Sequence, residues 1–359
     1  MSQAKFYSRQ IILKDIGESG QKKINNNKVL IIGAGGLGHP AATYLCAAGI
    51  GQLTIVDDDL VDISNFNRQV YFSMADEGKL KAEILSKHLR NQNPYIEINS
   101  IQERLTVKNA EEVISNHDVI LDCSDNFATT FLIHDCCWFL KKDLIQASLY
   151  QYEGQLQSFH YSNDNTEGCL RCLWENIPEA ACTQNCAEAG IIGAVAGTLG
   201  SLQAMQAIKM MLNLGNELTN ITMTLDLISM ESRKLKWNKH QDCGLCQAEL
   251  TLKDILAKHN NKIIDYELEG LNHKDMVYVD IREKREINFN DDYAKPYRDQ
   301  ILFMPLSESE NSIMTLDKNK NYLIICQKGM RSQSLVQKLR DKKCHNYFSL
   351  KGGLSRARY

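Results

Sequence analysis

The residues that decide the fold run from 28 to 38 and read Lys-Val-Leu-Ile-Ile-Gly-Ala-Gly-Gly-Leu-Gly. The continuous apolar run predicts a strand buried on both faces, and the residues after it match Gly-x-Gly-x-x-Gly. The glycines Gly33, Gly35, Gly36 and Gly38 allow phosphate groups to approach the backbone at the amino end of the following helix. This stretch therefore predicts a nucleotide site, but it does not identify the nucleotide.

Alternating strands and helices continue beyond this turn. Residues 53–56 form a second apolar run that ends at Asp57, about 20 residues beyond the last glycine, where a carboxylate can hold ribose hydroxyls. We interpret Asp58 and Asp59 as turn and surface acids. Further strands are predicted at 118–122, 155–161 and 221–227, and a helix at 78–90. This order predicts an α/β fold with a Rossmann-like, doubly wound sheet.

A second, smaller α/β unit is predicted after a change in composition. Residues 247–274 are polar, charged and rich in Asn, and new apolar runs follow at 277–280 and 322–325. We predict a first domain at 1–250, a linker at 251–275 and a second domain at 276–359.

Composition excludes several classes of protein. The 359 residues carry a formal net charge of -3, with 43% hydrophobic and 24% charged residues, which argues against intrinsic disorder and against non-specific nucleic-acid binding. The first residues lack the pattern of a secretory signal, so we expect a cytoplasmic protein. A nearly uncharged stretch at 189–208 favours a buried core helix over a membrane span because glutamines and small residues interrupt it.

The 12 cysteines include two Cys-x-x-Cys pairs. In a reducing compartment such pairs favour a metal site over disulfides, and two of them match a tetrahedral zinc site with four thiolate ligands. We therefore predict a structural zinc site, formed by Cys169, Cys172, Cys243 and Cys246.

Cys326 lies where a buried strand is predicted to turn into a helix. Backbone N–H groups and the positive helix end favour a thiolate there, and Lys328 and Arg331 add positive charge nearby. This position favours a reactive cysteine that carries a thiolate or a persulfide.

Several motifs in order resemble those of the ThiF/MoeB/HesA family, adenylyltransferases related to ubiquitin-activating enzymes. The similarity covers about residues 5 to 250. It rests on residues 7–13, 33–38, 57–69, 122–126 and 200–209 and on both Cys-x-x-Cys pairs. From about residue 276 the chain resembles a rhodanese domain, through residues 279–283, 326–332 and 351–353.

The resemblance implies a reaction and a set of residues. The family uses ATP and Mg²⁺ to adenylate the C-terminal Gly-Gly carboxylate of a small ubiquitin-like sulfur carrier of MoaD or ThiS type. It implies that Asp57 holds the ribose, Gly36 contacts the nucleotide and Asp125 holds Mg²⁺. It also places at the nucleotide Ser64, Asn65, Arg68, Lys81 and Asn126. Arg9 matches an arginine supplied to the neighbouring subunit's ATP, which implies a homodimer.

The rhodanese resemblance implies a sulfur-transfer step. A persulfide on Cys326 would attack the carrier adenylate, and a second thiol would release the thiocarboxylate. Cys186 matches that second thiol and Cys182 is its competitor. The sulfur donor, a persulfide protein or thiosulfate, stays open, as does the choice between molybdopterin and thiamine synthesis. We assign no role to the nine histidines.

Two alternative functions come from different classes. The glycine turn with Asp57 is also found in dinucleotide-dependent oxidoreductases, and a non-catalytic scaffold could bind the carrier without using ATP. We expect neither a nucleic acid nor a membrane among the partners of this protein.

Overall fold

The computed structural model describes residues 3–162, 167–175, 190–215, 218–247, 250–259, 265–266, 276–287, 301–327, 329–350 and 352–354. The chain separates into two compact units, with the main division at residue 260. Each unit has its own sheet.

One eight-stranded sheet forms the centre of the first unit. Its strands are β1 (Lys28–Ile32), β2 (Gln52–Val56), β3 (Glu97–Ile101), β4 (Val119–Asp122), β5 (Asp143–Tyr150), β6 (Glu153–Phe159), β7 (Ile221–Asp226) and β8 (Glu231–Lys236). Their order is β3-β2-β1-β4-β5-β6-β7-β8. The first five in this order are parallel, and β6, β7 and β8 continue the sheet antiparallel. The predicted α/β class is confirmed, and three antiparallel strands extend the parallel half.

The helices of the first unit flank this sheet. They are α1 (Gln3–Phe6), α2 (Ser8–Ile11), α3 (Gly17–Asn25), α4 (Gly38–Ala48), α5 (Lys81–Gln92), α6 (Ala110–Ser115), α7 (Phe127–Leu140), α8 (Leu170–Leu173), α9 (Gly193–Leu212) and α10 (Leu252–His259). Short 3-10 turns lie at Ile63–Asn65 and Met74–Asp76.

Strand β1 is buried on both faces, as its apolar run predicts. Val29 and Ile31 belong to the core that includes residues of α4 and α9, whereas Leu30 and Ile32 belong to the core that includes residues of α7. The alternation follows from the two-residue repeat of a strand. Because both faces are buried, the strand lacks the polar residue at every second position that is typical of a strand with one exposed face.

The turn from β1 to α4 requires glycine for two separate reasons. Gly33 has φ +104°, and a Cβ on it would lie 2.5 Å from the Cys123 carbonyl oxygen. A Cβ on Gly38 would lie 2.0 Å from the Gly33 carbonyl oxygen. Any larger residue at either position would force the turn apart.

Helix α9 packs in the core of the first unit. Leu199 and Ala207 are fully buried, and a Cβ on Gly200 would lie 2.3 Å from the Leu37 carbonyl oxygen. The close approach of α9 to α4 confirms the core helix predicted for this uncharged stretch. Within the described ranges, no helix combines the length and apolar character that crossing a membrane requires.

The second unit has a five-stranded sheet, parallel throughout. Its strands are β9 (Asp265–Tyr266), β10 (Met276–Asp280), β11 (Ile301–Phe303), β12 (Asn321–Ile325) and β13 (Tyr347–Leu350). Their order is β11-β10-β12-β13-β9. Its helices are α11 (Leu306–Ile313) and α12 (Met330–Asp341), with a 3-10 turn at Lys284–Glu286.

The segment predicted as a linker at 251–275 contains a helix and a short strand. Helix α10 occupies its first part, and Leu252 and Ile255 are buried in the core beside α7. Strand β9 pairs with β13, so the second sheet includes residues before 276. Both elements were missed because one helix of two turns and a strand of two residues produce too little periodicity to detect.

Candidate active site

The glycine turn lies at the carboxyl end of β1, beside the carboxyl end of β2. Asp57 follows β2 and its Oδ2 accepts a hydrogen bond from the Ala34 backbone N–H at 2.7 Å. Its Oδ1 accepts from the Asp59 backbone N–H at 2.8 Å. Burial raises the pKa of the Asp57 carboxyl, and the charge of Lys81 opposes that shift. The carboxylate is therefore held against the turn, where it can accept hydrogen bonds from hydroxyl groups.

The segment after β2 carries three of the residues assigned to the nucleotide. Ser64 donates from its backbone N–H to Asp62 Oδ1 at 2.8 Å, and Asn65 Oδ1 accepts from the Asp62 backbone N–H at 3.3 Å. Arg68 donates from NH1 to the Ser64 carbonyl oxygen at 2.7 Å. A Cβ placed on Gly36 would lie 3.5 Å from Arg68 Cγ. The segment is thus folded upon itself, with the stem of Arg68 against the glycine turn.

Lys81 is the first residue of α5 and is buried, although it carries a charge. Its Nζ lies 3.0 Å from Asp59 Oδ2, and 9% of the lysine side chain is exposed compared with 52% of the aspartate side chain. A buried ammonium needs a charged partner. Asp59 is exposed, as its interpretation as a surface acid expects, and its carboxylate also holds Lys81 in place.

Asp125 and Asn126 follow β4, the strand next to β1 on its other side. Asn126 caps α7, since its Oδ1 accepts a hydrogen bond from the Thr129 backbone N–H at 2.9 Å. Asp125 is exposed. Asp125 therefore lies just after the carboxyl end of β4, at the edge of the sheet where β1 and β2 also end.

Arg9 is not brought to the glycine turn of its own chain. The ring of Tyr7 packs on Gly49, where an added Cβ would lie 2.4 Å away, and Gln10 donates to the Ala48 carbonyl oxygen at 2.7 Å. Both contacts anchor α2 at the carboxyl end of α4, whereas the glycine turn lies at its amino end. Eleven residues of helix separate these ends by roughly 16 Å, farther than an arginine side chain reaches.

The four cysteines of the two pairs lie together as predicted. The Cys169 sulfur is 3.8 Å from that of Cys172 and 3.6 Å from that of Cys243, and Cys246 lies 3.7 Å from Cys172 and 3.1 Å from Cys169. Four sulfurs at about 2.3 Å from one zinc ion lie about 3.8 Å apart in a tetrahedron. Three of these four distances match that edge within 0.2 Å, so the cluster can hold a metal ion.

A buried charged network lies beside this cluster and was not expected from the sequence. Asp135 accepts from His134 Nδ1 at 2.8 Å, from His259 Nε2 at 2.7 Å and from Arg171 NH2 at 2.8 Å. Burial acts to raise the pKa of Asp135, but these donors together hold it far below its usual range. His134 Nε2 in turn accepts from the Leu170 backbone N–H at 2.8 Å. Two histidines therefore have a structural role, since they tie α7 to α8 and α10.

Cys326 lies directly after β12 and is 1% exposed. Its sulfur lies 3.4 Å from both the backbone nitrogen and the hydroxyl oxygen of Ser332, and the backbone N–H donates to it. The backbone between them turns at Gly329, with φ +84°. Helix α12 begins within this loop, so the sulfur faces the amino end of a helix, as the sequence predicts.

The motif near the carboxyl end closes on this loop. A Cβ on Gly353 would lie 2.5 Å from the Cys326 carbonyl oxygen, which also accepts the Leu354 backbone N–H at 3.1 Å. Arg331 forms a bidentate pair with Glu286, at 2.8 and 2.6 Å. Burial acts to raise the pKa of Glu286, but the hydrogen bonds and charge of Arg331 lower it overall. Lys328, Lys351, Cys182 and Cys186 lie outside the described residues.

Comparison with protein-family models assigns both units. Residues 7–245 match the model described as "ThiF family". The chain belongs to the ThiF family. Residues 264–357 of this ThiF-family chain match the model described as "Rhodanese-like domain".

Two curated relatives match this chain over most of their own length. The chain is 34% identical to the protein named adenylyltransferase and sulfurtransferase MOCS3 of Drosophila virilis over 379 residues, covering 97% of this chain and 82% of that protein. It is 36% identical to the sulfur carrier protein adenylyltransferase of Thermus thermophilus over 252 residues, covering 70% of this chain and 93% of that protein.

Solved structures share the fold of the first unit. E. coli MccB, in a structure with MccA-N7isoASN, has a TM-score of 0.60 at 21% identity and covers 68% of this chain and 75% of its own. PaaA has a TM-score of 0.56 at 21% identity, covering 67% of this chain and 76% of its own. At this identity the likeness establishes the fold alone.

Proposed function

We propose that this ThiF-family enzyme uses ATP to adenylate the C-terminal Gly-Gly carboxylate of a ubiquitin-like sulfur carrier, and then converts it to a thiocarboxylate. One observation carries the proposal. A single chain joins a ThiF unit, with Lys81 and Arg68 beside its glycine turn, to a rhodanese unit in which Cys326 lies on its loop.

In the adenylation step a carrier carboxylate oxygen bonds to the α-phosphorus of ATP and the bond to pyrophosphate breaks. Negative charge builds on the leaving pyrophosphate, so cations must be in place before reaction. Lys81 is held by Asp59, and Arg68 lies against Gly36. Lys81, Arg68 and Asn65 would hold the phosphates. Asp57 would accept hydrogen bonds from the ribose hydroxyls.

Asp125 is the residue that would hold Mg²⁺. It is exposed at the end of β4, and β4 is adjacent to β1, where the glycine turn begins. An aspartate at this place can bind a cation that also contacts the phosphates, as hard oxygen ligands suit Mg²⁺. When bound, the ion supplies charge neutralisation at the triphosphate.

The position of Arg9 supports a homodimer. Because Arg9 lies near the far end of α4 from the glycine turn of its own chain, it can serve a nucleotide only in a second copy. Mixing Arg9→Ala and Asp125→Ala chains tests this: each variant alone is expected to be inactive. Random dimers of the two should recover about a quarter of the wild-type rate, because half of them have one complete site.

The four-cysteine cluster would hold zinc as a structural ion. The sulfur distances fit a tetrahedron, and no position in a four-thiolate site remains for substrate. Four thiolates stay reduced in a reducing compartment, and the disulfide formed on Cys326 during sulfur transfer is reduced there, so a cytoplasmic location forms part of the proposal.

In the sulfur-transfer step the terminal sulfur of a Cys326 persulfide bonds to the carrier carbonyl carbon and AMP leaves. The product is an acyl disulfide. The thiolate of a second cysteine, Cys186 with Cys182 as competitor, then attacks the Cys326 sulfur and releases the thiocarboxylate. This leaves a disulfide between that cysteine and Cys326, which a cellular dithiol reduces. A persulfide protein or thiosulfate reloads Cys326.

The two alternative functions explain fewer residues. Membership of the ThiF family over residues 7–245 decides against a dinucleotide-dependent oxidoreductase, and such an enzyme needs neither a buried Lys81 nor Cys326. A scaffold that binds the carrier without using ATP would not need the buried Lys81 beside the glycine turn. Burying that charge costs stability, which such a scaffold would have no reason to lose.

ATP–pyrophosphate exchange tests the proposal directly. The full chain is assayed without carrier, with a MoaD-type carrier and with a ThiS-type carrier, and each carrier is also tested without its terminal Gly-Gly. We expect exchange with one intact carrier only, which also chooses between molybdopterin and thiamine synthesis. Exchange with the truncated carriers, or in the assay without carrier, would refute the proposed substrate.

A further inference from the structure

His39, the second residue of α4, is fully buried beside the glycine turn. Its Nδ1 lies 2.9 Å from the Gly35 carbonyl oxygen, which also accepts the His39 backbone N–H at 3.1 Å. Burial lowers the pKa of His39 to about 4, so the ring is neutral at physiological pH. Because a carbonyl oxygen only accepts hydrogen bonds, the single ring proton lies on Nδ1.

The ring of His39 also packs on the segment that carries Asn65 and Arg68. Its centroid lies 4.5 Å from that of Phe72, at 90°, and 6.0 Å from that of Tyr71. The Phe72 backbone N–H donates to the Gln69 carbonyl oxygen at 3.1 Å, so this contact fixes the end of the same turn.

The contacts continue to the helix that carries Lys81. Tyr71 stacks on His88 of α5, with centroids 5.6 Å apart and planes at 19°, and Lys81 is the first residue of α5. His39 therefore lies at the centre of three elements: the glycine turn, the segment after β2, and α5.

The fold does not need a histidine at this position. Among the described residues, His39 Nε2 has no hydrogen-bond partner although it is buried, and an unsatisfied buried acceptor costs stability. A leucine would fill a similar space without that acceptor. The Gly35 carbonyl oxygen would still keep its bond from the backbone N–H of residue 39.

We propose that His39 is a positioning residue for adenylation, whose ring N–H and aromatic contacts orient the Gly35 peptide and the Arg68 segment toward the triphosphate. The inference rests on the proposed function and adds to it a residue that does not touch the reacting atoms. The ring acts through the backbone of the turn, so its loss changes ATP binding rather than the chemistry at the carboxylate.

Two variants separate positioning from folding. His39→Leu removes the ring donor and the unsatisfied acceptor, whereas His39→Asn keeps an N–H donor at the same distance from the backbone. For the leucine variant we expect a KM for ATP about five- to tenfold higher, the effect of one hydrogen bond, with an unchanged or higher melting temperature. The asparagine variant keeps the donor but not the aromatic contacts, so its KM for ATP should lie between those of the wild type and the leucine variant. Thiosulfate:cyanide sulfurtransfer by the rhodanese unit of the same chains provides the internal control.

The outcomes distinguish this inference from the proposed function. If the wild type catalyses exchange and the leucine variant has the same KM for ATP, the positioning role is overturned. An equal loss of activity and melting temperature in both variants would also overturn it, since that pattern indicates a structural residue. Absence of exchange in the wild type would count against the proposed substrate instead, and calorimetric titration with ATP would then test His39. Equal ATP affinities of wild type and leucine variant would refute the inference.

Discussion

Removing one half of the four-cysteine cluster should destabilise the first unit by a calculable amount. The double substitution Cys243→Ser and Cys246→Ser removes two of four ligands. The proposed metal would join positions up to 77 residues apart. Closing a loop of that length lowers the entropy of the unfolded chain and so raises its free energy by about 4.5 kcal/mol at 25 °C. For a unit of this size, that loss corresponds to a fall in melting temperature of about 10 °C.

The assay combines metal analysis with thermal melting in the presence of a reducing agent. The wild type should contain one zinc ion per chain and lose the same stability on treatment with a strong chelator. The variant should contain none and should not respond to the chelator. Cys344→Ser provides a matched control, because Cys344 is a half-buried cysteine of the second unit.

Two results would refute the reasoning. A wild-type chain without zinc, melting at the same temperature as the double variant, would show that the sulfurs are only core residues. Stability that depends on oxidation and is insensitive to the chelator would indicate a disulfide in place of a metal.

Three other predictions concern the two sites. Asp125→Ala should abolish pyrophosphate exchange, while carrier binding, measured by calorimetry, persists. Glu112→Ala changes an exposed acid on α6 and should have no effect. Residual exchange in Asp125→Ala would contradict the magnesium assignment. Cys326→Ala should leave exchange intact and stop thiocarboxylate formation, detected by mass spectrometry; continued formation would remove Cys326 from the mechanism. The pKa of Glu286 is lowered, so its pair with Arg331 stabilises the second unit above the unfolded carboxyl pKa of about 4.3 and loses this effect as the pH falls through the folded pKa. Melting below pH 5 should therefore depend less on pH in Glu286→Gln, and an unchanged profile would contradict this.

Much of the fold follows from short patterns. The strand predicted from the apolar run before the glycines is β1, Lys28–Ile32, because a strand buried on both faces has a distinct local pattern. The strand at 97–101 was missed, since it has only one fully buried residue and thus a weak pattern.

Long-range pairing limited the prediction of the site. Asp59 looked like a surface acid, yet it holds a lysine 22 residues away. In the buried network, Asp135 binds Arg171, which lies 36 positions away along the chain, and His259, which lies 124 positions away. No local pattern predicts such partners, because the order of the strands and the packing of the helices bring them together.

By itself, the sequence determined the glycine turn, the two Cys-x-x-Cys pairs and the position of Cys326 after a strand, because each depends on backbone geometry or residue spacing within a few residues. Only the tertiary structure decided that Asp59 pairs with Lys81, that Arg9 lies away from its own nucleotide turn and that His39 lies beneath it. Those relations depend on which elements pack together. Packing is set by the burial of apolar surface over the whole unit, which acts at no fixed separation along the chain.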